Sequence, residues 1–269
     1  ISLRHLSFIQ LLLFASLASA IALLIILIIQ NKLSLFKKYK LKDYLHSAIL
    51  GFLNPFLYYL ILFKAYSLLP AQEAQPLNFT WPLMLVLLSI PLLKQKISLK
   101  SILAVIISFM GVVIIGTRGN LTALKFSNSL GVFLAVGSSI IWALFWIYNK
   151  KDSHDAVAKL FLNFAFGFIF TLIAALIFSE RLTSNIPGIA GAIYVGLFEM
   201  GITFVVWSKA LELSSNTAKV SNLIYLVPFI SLILIHFLVG EEILISTIIG
   251  LVFIVSGILV QQYYGIRRV

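Results

Sequence analysis

EAQPLNFTWPLMLVLL, residues 73–88, combines two kinds of sequence in one segment. Its right half is an unbroken apolar run. Its left half holds Glu73, Gln75, Asn78 and the prolines Pro76 and Pro82, with Trp81 at the junction. In hydrocarbon every backbone polar group needs a partner, so proline in a membrane span is tolerated only against protein or a wet cavity. Pro82 brings no donor and leaves the carbonyl of Asn78 without its helical partner. Gln75, Asn78 and Pro82 are spaced three and four apart and share one helix face. The segment therefore predicts a span whose polar start lines a cavity. The plainer alternative is that Asn78 hydrogen-bonds a neighbouring helix as packing glue.

The rest of the chain fits a membrane setting. Of 269 residues, 61% are hydrophobic and 11% charged, with a mean hydropathy of +1.07, well outside the range of soluble domains. Apolar runs of about 20 residues recur, each enough to cross ~30 Å of hydrocarbon. The class expected is an all-α polytopic integral membrane protein, without the alternating short strands of an outer-membrane barrel. Nine spans are expected, near 6–30, 45–69, 74–93, 99–117, 129–148, 156–178, 187–210, 217–239 and 244–263. A net charge of +11 would suggest nucleic acid in a soluble protein. Here the basic residues sit in short connections, so no nucleic-acid partner is expected. The absence of cysteine excludes disulfides and thiolate metal sites.

One set of alternate connections holds Lys32, Lys37, Lys38, Lys40, Lys42, Lys94, Lys96, Lys100, Lys150, Lys151, Arg267 and Arg268. The other set holds Arg4, Arg118, Lys125 and Arg181. Twelve against four predicts an inner, cytoplasmic membrane location with the C-terminus cytoplasmic and residue 1 on the outer side.

The sequence also repeats. A shift of 145 places Gly51 on Gly196, Lys64 on Lys209, Ala65 on Ala210 and Leu68 on Leu213. With one gap, Pro82 falls on Pro228, Ser101 on Thr247 and Gly111 on Gly257. An odd number of crossings separates the matching spans, which makes the repeat inverted, a recurrent construction of secondary transporters. The halves expected are 1–125 and 126–269. The span at 129–148 has no partner, and the chain opens with Ile rather than Met. Nine helices present with the first of ten missing, as two inverted five-helix repeats, is the expectation.

LNFTWPLM at 77–84, SSIIWALFWIYNKK at 138–151 and GEEILISTIIGLVFIVSGILV at 240–260 resemble words of the drug/metabolite transporter superfamily, in its EamA-type members. The first two resemble the aromatic amino acid exporter subgroup. The resemblance spans essentially the whole chain and implies a ten-helix carrier fold. It does not carry a substrate with it.

Glu199, in GLFEMGITF, lies midway along its span, where an ionised carboxylate costs roughly 2.5–3.5 kcal/mol on insertion scales. Its repeat counterpart is Asn54, followed by Pro55. The two are expected to face each other near the midplane and bind a substrate amine or a proton; a structural hydrogen bond is the plain alternative. Asn78, Gln75, Asn222 and Tyr225 would line the same path. Trp81 and Trp142 are deep enough to sandwich a planar or cationic substrate, whereas Trp146 and Trp207 fit an interfacial belt. Lys64 and Lys209 are explained by snorkelling, or by gating with Glu73 as a partner of Lys64. Glu241 and Glu242 read as solvated loop residues, and His236 as a packed, hydrogen-bonded one. No HExxH, Walker loop, GxSxG or clustered His/Asp set occurs, so no cofactor, no metal and no enzyme activity are expected.

The function expected is a secondary active transporter that exports amino acids or related small metabolites by alternating access, with proton coupling a hypothesis resting on Glu199. Its partners would be a small-molecule substrate and the lipid bilayer, and monomer and homodimer are both open. The alternatives are a multidrug or nucleotide-sugar carrier of the same superfamily and, further off, an integral-membrane enzyme on lipid-linked substrates.

Overall fold

The computed structural model describes residues 2–93, 99–122, 126–178, 185–213 and 226–265. No strand occurs among them. The helices are α1 (Phe8–Ile29), α2 (Leu41–Gly51), α3 (Tyr58–Leu68), α4 (Ala71–Asn78), α5 (Trp81–Leu93), α6 (Leu99–Gly116), α7 (Ser129–Lys151) and α8 (Ala156–Ile177). They continue with α9 (Ile186–Tyr194), α10 (Ile202–Leu213), α11 (Val227–Leu234) and α12 (Ile245–Gly265). Wide, π-type turns at Phe52–Leu57, Val195–Gly201 and Ile235–Val239 join α2 to α3, join α9 to α10, and extend α11.

Among the described residues six helical stretches are long and apolar enough to cross a bilayer: 8–29, 41–68, 71–92, 129–151, 156–177 and 186–207. Three shorter apolar helices lie at 102–116, 227–239 and 245–260. Each of the nine expected spans falls on one of these, although only the second half of 217–239 is described. The protein is an all-α polytopic membrane protein.

Local sequence sets the ends of these helices. Ser7 and Gln10 form a reciprocal capping box that starts α1, the Gln10 amide donating to Ser7 Oγ and the Ser7 amide to Gln10 Oε1. Asp155 accepts from the amides of Val157 and Ala158 at the start of α8. The α2–α3 break has a sequence cause. Pro55 disfavours helical backbone in the residue before it, and Asn54 is extended at φ −150°, ψ 121°.

The chain forms two compact units, one of residues 1–63 with 145–221, the other of 64–144 with 222–269. In the first, α1 packs on α8 and on the 195–201 turn, and α2 on α8. Gly51 and Gly196 allow these approaches. A Cβ on Gly51 would come within 2.4 Å of the Asn163 carbonyl on α8, and one on Gly196 within 2.3 Å of the Ala15 carbonyl on α1. In the second unit α6 and α12 form the most extensive helix pairing. There a Cβ on Gly111 would meet the Gly250 carbonyl at 2.4 Å, and one on Gly257 the Ala104 carbonyl at 2.5 Å. One shift of 146 residues carries Gly111 onto Gly257 and Ala104 onto Gly250, so this crossing is reciprocal. A core of Leu77, Leu83, Ile115, Leu251 and Ile254, all fully buried, fills that unit.

Candidate functional site

Two irregular turns of the first unit carry the polar residues singled out in mid-span. Asn54 sits in the 52–57 turn and Glu199 in the 195–201 turn, at positions related by the shift of 145. Asn54 is 0% exposed, and neither its amide nitrogen nor its oxygen has a hydrogen-bond partner. Leaving a buried polar group unpaired costs on the order of 1–3 kcal/mol, so this pair of atoms is unlike ordinary packing. Glu199 lies on the open side of its helix, as do Phe198, Thr203 and Val206, while Gly196, Met200 and Gly201 face inward. It carries no hydrogen bond or ion pair among the described residues. The Thr203 hydroxyl donates back to the Phe198 carbonyl, satisfying an acceptor of the wide turn. Of the pair expected to face each other, Asn54 is fully buried and Glu199 lies on an open helix side, so the two differ in access.

The second unit treats its polar residues differently. The expected single span from residue 74 is broken: α4 ends at Asn78 and α5 begins at Trp81. Pro82 takes the second position of α5, where no intrahelical donor is needed, so it starts a helix rather than kinking one. Asn78 Nδ2 donates to Ser138 Oγ of α7 at 2.9 Å, and the Thr80 hydroxyl donates to Ser139 Oγ at 3.1 Å. The helix-to-helix bond offered as the plainer reading of Asn78 is thus present. Ser138 and Trp142 are one turn apart on α7, which places the half-buried Trp142 on the helix face that meets Asn78. Trp81, also half-buried, opens α5, and Gln75 Oε1 is buried without a partner.

The start of α4 is clasped. The Glu241 carboxylate accepts from the Ala71 amide at 2.9 Å and the Gln72 amide at 3.0 Å, placing an anion on an uncapped helix N-terminus. Gln72 donates to the Glu242 carbonyl at 2.7 Å and accepts from the Leu244 amide at 2.8 Å and the Thr247 hydroxyl at 3.2 Å. Glu73, 1% exposed, receives Arg118 Nε at 2.7 Å on one oxygen and the Ser127 hydroxyl at 2.6 Å on the other. Both Glu73 oxygens are therefore engaged by residues that the gating expectation did not name. The reading of Glu241 as merely solvated is corrected as well. His236 is exposed rather than packed, and its Nδ1 lies 2.9 Å from the Glu241 carbonyl.

Lys64 is half-buried on α3, with the Ser67 hydroxyl donating to its carbonyl, and Lys209 lies on α10. Asn222 and Tyr225 lie outside the described residues. Trp146, expected in an interfacial belt, stacks parallel on Phe204 of α10, with ring centroids 6.1 Å apart. Sequence reasoning missed Gln72, Arg118, Ser127, Ser138 and Ser139. The two serines had a signal, because small hydroxyl residues mark close helix contacts in membranes.

At one end of the first unit the connections 30–40 and 149–155 meet. Lys32 Nζ lies 2.7 Å from Asp155, His154 Nδ1 lies 2.6 Å from Asp152, and the His154 ring packs on Tyr39 with centroids 4.4 Å apart. Burial pushes the Tyr39 hydroxyl up to about 12, with Asp152, Asp155 and Asp43 adding to the effect. Burial alone would also raise the Asp152 carboxyl, but hydrogen bonds from the His154 amide and ring hold it below its ordinary value. Asp155 is likewise lowered, its burial outweighed by Lys32 and the α8 amides.

Among the described residues no group of three or more His, Cys, Asp or Glu side chains is placed to hold a metal ion. The arrangement can offer carboxylate, amide and indole groups at helix breaks inside membrane spans. Known proteins resemble this chain over most of its length. The chain is 27% identical over 259 residues to the uncharacterized transporter YvbV of Bacillus subtilis, covering 92% of this chain and 81% of that protein. It is 26% identical over 220 residues to an uncharacterized transporter of Archaeoglobus fulgidus, covering 80% and 75%. A protein crystal structure superposes on 97% of this chain and 89% of its own, with a TM-score of 0.66 at 18% identity, a likeness of fold. Residues 1–117 and 129–261 each match the EamA-like transporter family. With both stretches matched and the spans in place, the chain belongs to the EamA-like transporter family and is a multi-pass membrane transporter rather than an enzyme.

Proposed function

We propose that this transporter exports amino acids or related small metabolites across the cytoplasmic membrane by alternating access. The halves 1–125 and 126–269 act as inverted repeats, with the C-terminus inside. The reciprocal glycine contacts of α6 and α12 support the repeat, as do irregular turns at shift-related positions. The lysine-rich connections support the orientation.

Glu199 carries the functional reading. A carboxylate at mid-span, on an open helix side and without a partner among the described residues, takes a substrate ammonium or a proton. Asn54 becomes available to substrate in another state of the cycle, which is why its amide is left unpaired here. Asn78 and Trp142 offer a polar and an aromatic group in the second unit.

Uptake of a labelled amino acid mixture into proteoliposomes, with and without an imposed pH gradient, tests this. Saturable uptake that is abolished in Glu199→Gln supports the role. Wild-type flux and unchanged pH dependence in that variant would remove Glu199 from the mechanism. Saturable uptake without pH dependence would leave the carrier and remove the proton.

A further inference from the structure

We infer that the first unit holds a binding site for the headgroup of an anionic phospholipid, in the cleft between the start of α2 and the connection after α7. The cleft encloses about 410 Å³ and is lined by Lys42, Asp43 and His46 on one side and by Lys151, Asp152 and His154 on the other. Its two acids are already committed. Asp43 accepts from the Lys40 amide at 2.8 Å, and Asp152 accepts from the amide and the ring of His154 at 3.0 and 2.6 Å. Lys42 and Lys151 are exposed, and His46 is half-buried. Lys151 Nζ rests 5.4 Å from the centre of the Tyr148 ring. The exposed Lys37, Lys38, Lys40 and Lys150 stand on the same connections, so the local field is positive.

Charge alone would fit any phosphate. What selects a lipid is the stripe beside it. Leu41, Leu45 and Ile49 on one side of α2, and Phe52 at the start of the turn after it, are exposed by 75, 57, 62 and 42% and recur at four- and three-residue spacing. Lys42 and His46 each follow a member of that stripe in the sequence. A phosphate held by Lys42, His46 and Lys151 therefore has an apolar track running away from it into the membrane. That pairing of a basic pocket with an acyl path is the geometry of specific lipid binding rather than of general surface attraction.

The experiment uses the full chain in neutral detergent. Retained lipid is counted by native mass spectrometry, and thermal stability is followed, on titration with phosphatidylglycerol or phosphatidylcholine. The wild type should retain phosphatidylglycerol preferentially and gain stability from it. A Lys42→Gln/Lys151→Gln variant should lose roughly thirtyfold in that affinity, because both lysines stand at the bound phosphate. Lys37→Gln/Lys38→Gln removes the same charge outside the cleft and should lose less than about threefold. Glycerol 3-phosphate should neither stabilise the protein nor displace the lipid. Equal retention of both lipids, an equal loss in the two double variants, or full competition by glycerol 3-phosphate would each overturn the proposal. Unchanged stability of both variants in phosphatidylcholine confirms that the comparison is made on folded protein.

Discussion

Both units interrupt membrane-spanning helices, and they treat the polar groups at the interruptions in opposite ways. In the second unit the break after Asn78 is largely tied off, with Gln75 Oε1 the exception: Asn78 to Ser138, Thr80 to Ser139, Gln72 to three partners, and Glu73 to Arg118 and Ser127. In the first unit the Asn54 amide has no partner, and Glu199 has none among the described residues. Paired polar groups inside a membrane protein fix a geometry. Unpaired ones cost stability in the state that leaves them so, and they persist where another state uses them. Under the proposed function the contrast separates residues that hold the fold from residues offered to transport, and substitutions can break it.

The largest expected effect is a split between activity and stability at the first unit's turns. Asn54→Leu removes a buried amide that gains no hydrogen bond and replaces it with a side chain of similar size. Folding stability should stay within about 1 kcal/mol of wild type or rise, while uptake falls to background. A large loss of stability would show that Asn54 is bonded in the folded protein and belongs with the structural group. At Glu73 the order is reversed. Glu73→Gln leaves Arg118 facing a neutral amide and should destabilise by about 2 kcal/mol, less than a fully buried pair because Arg118 is half exposed. Denaturation in mixed micelles reads this directly. A neutral result would mean that Arg118 finds its water at no cost.

The Glu241 clasp should be worth less. Replacing Glu241 with Gln keeps an acceptor but removes the charge from the α4 N-terminus and breaks the symmetric pair of bonds, for about 0.5–1 kcal/mol. Hydrogen exchange should then rise at the amides of Ala71 and Gln72 before it rises elsewhere in the second unit. Protection unchanged at those two amides would show that the carboxylate does not hold them.

The spans were legible in sequence because bilayer thickness imposes a length on every apolar run. Asn54's extended backbone was also within reach, since Pro55 follows it. The wide turn at Glu199 was not, because it contains no proline and nothing local in GLFEMG demands it. The clasp was illegible for another reason. Its partners are 169 to 175 residues apart, and composition makes a loop glutamate look solvated. The same holds for the Asn78 break. Pro82 signals that the helix is disturbed there, but whether it kinks or restarts depends on α7, which supplies Ser138 and Ser139.

The smallest effect lies where the two connections of the first unit meet, and it has a sign at each end of the pH scale. Asp155 is lowered from its ordinary 3.8 by Lys32 and the α8 amides. Its contribution is therefore complete above that value and disappears as pH falls through the lower folded one. Both side chains are partly exposed, so the contribution stays under about 1 kcal/mol. Asp155→Asn should flatten the acid limb of the stability profile and leave the neutral plateau slightly lower. Tyr39 acts at the other end. Raised from 10.0 to about 12, it keeps its proton in the folded chain, so stability is complete below pH 10 and declines between 10 and 12. Tyr39→Phe should remove that alkaline decline without touching the acid limb. If the alkaline decline survived in Tyr39→Phe, the phenol would not be its source.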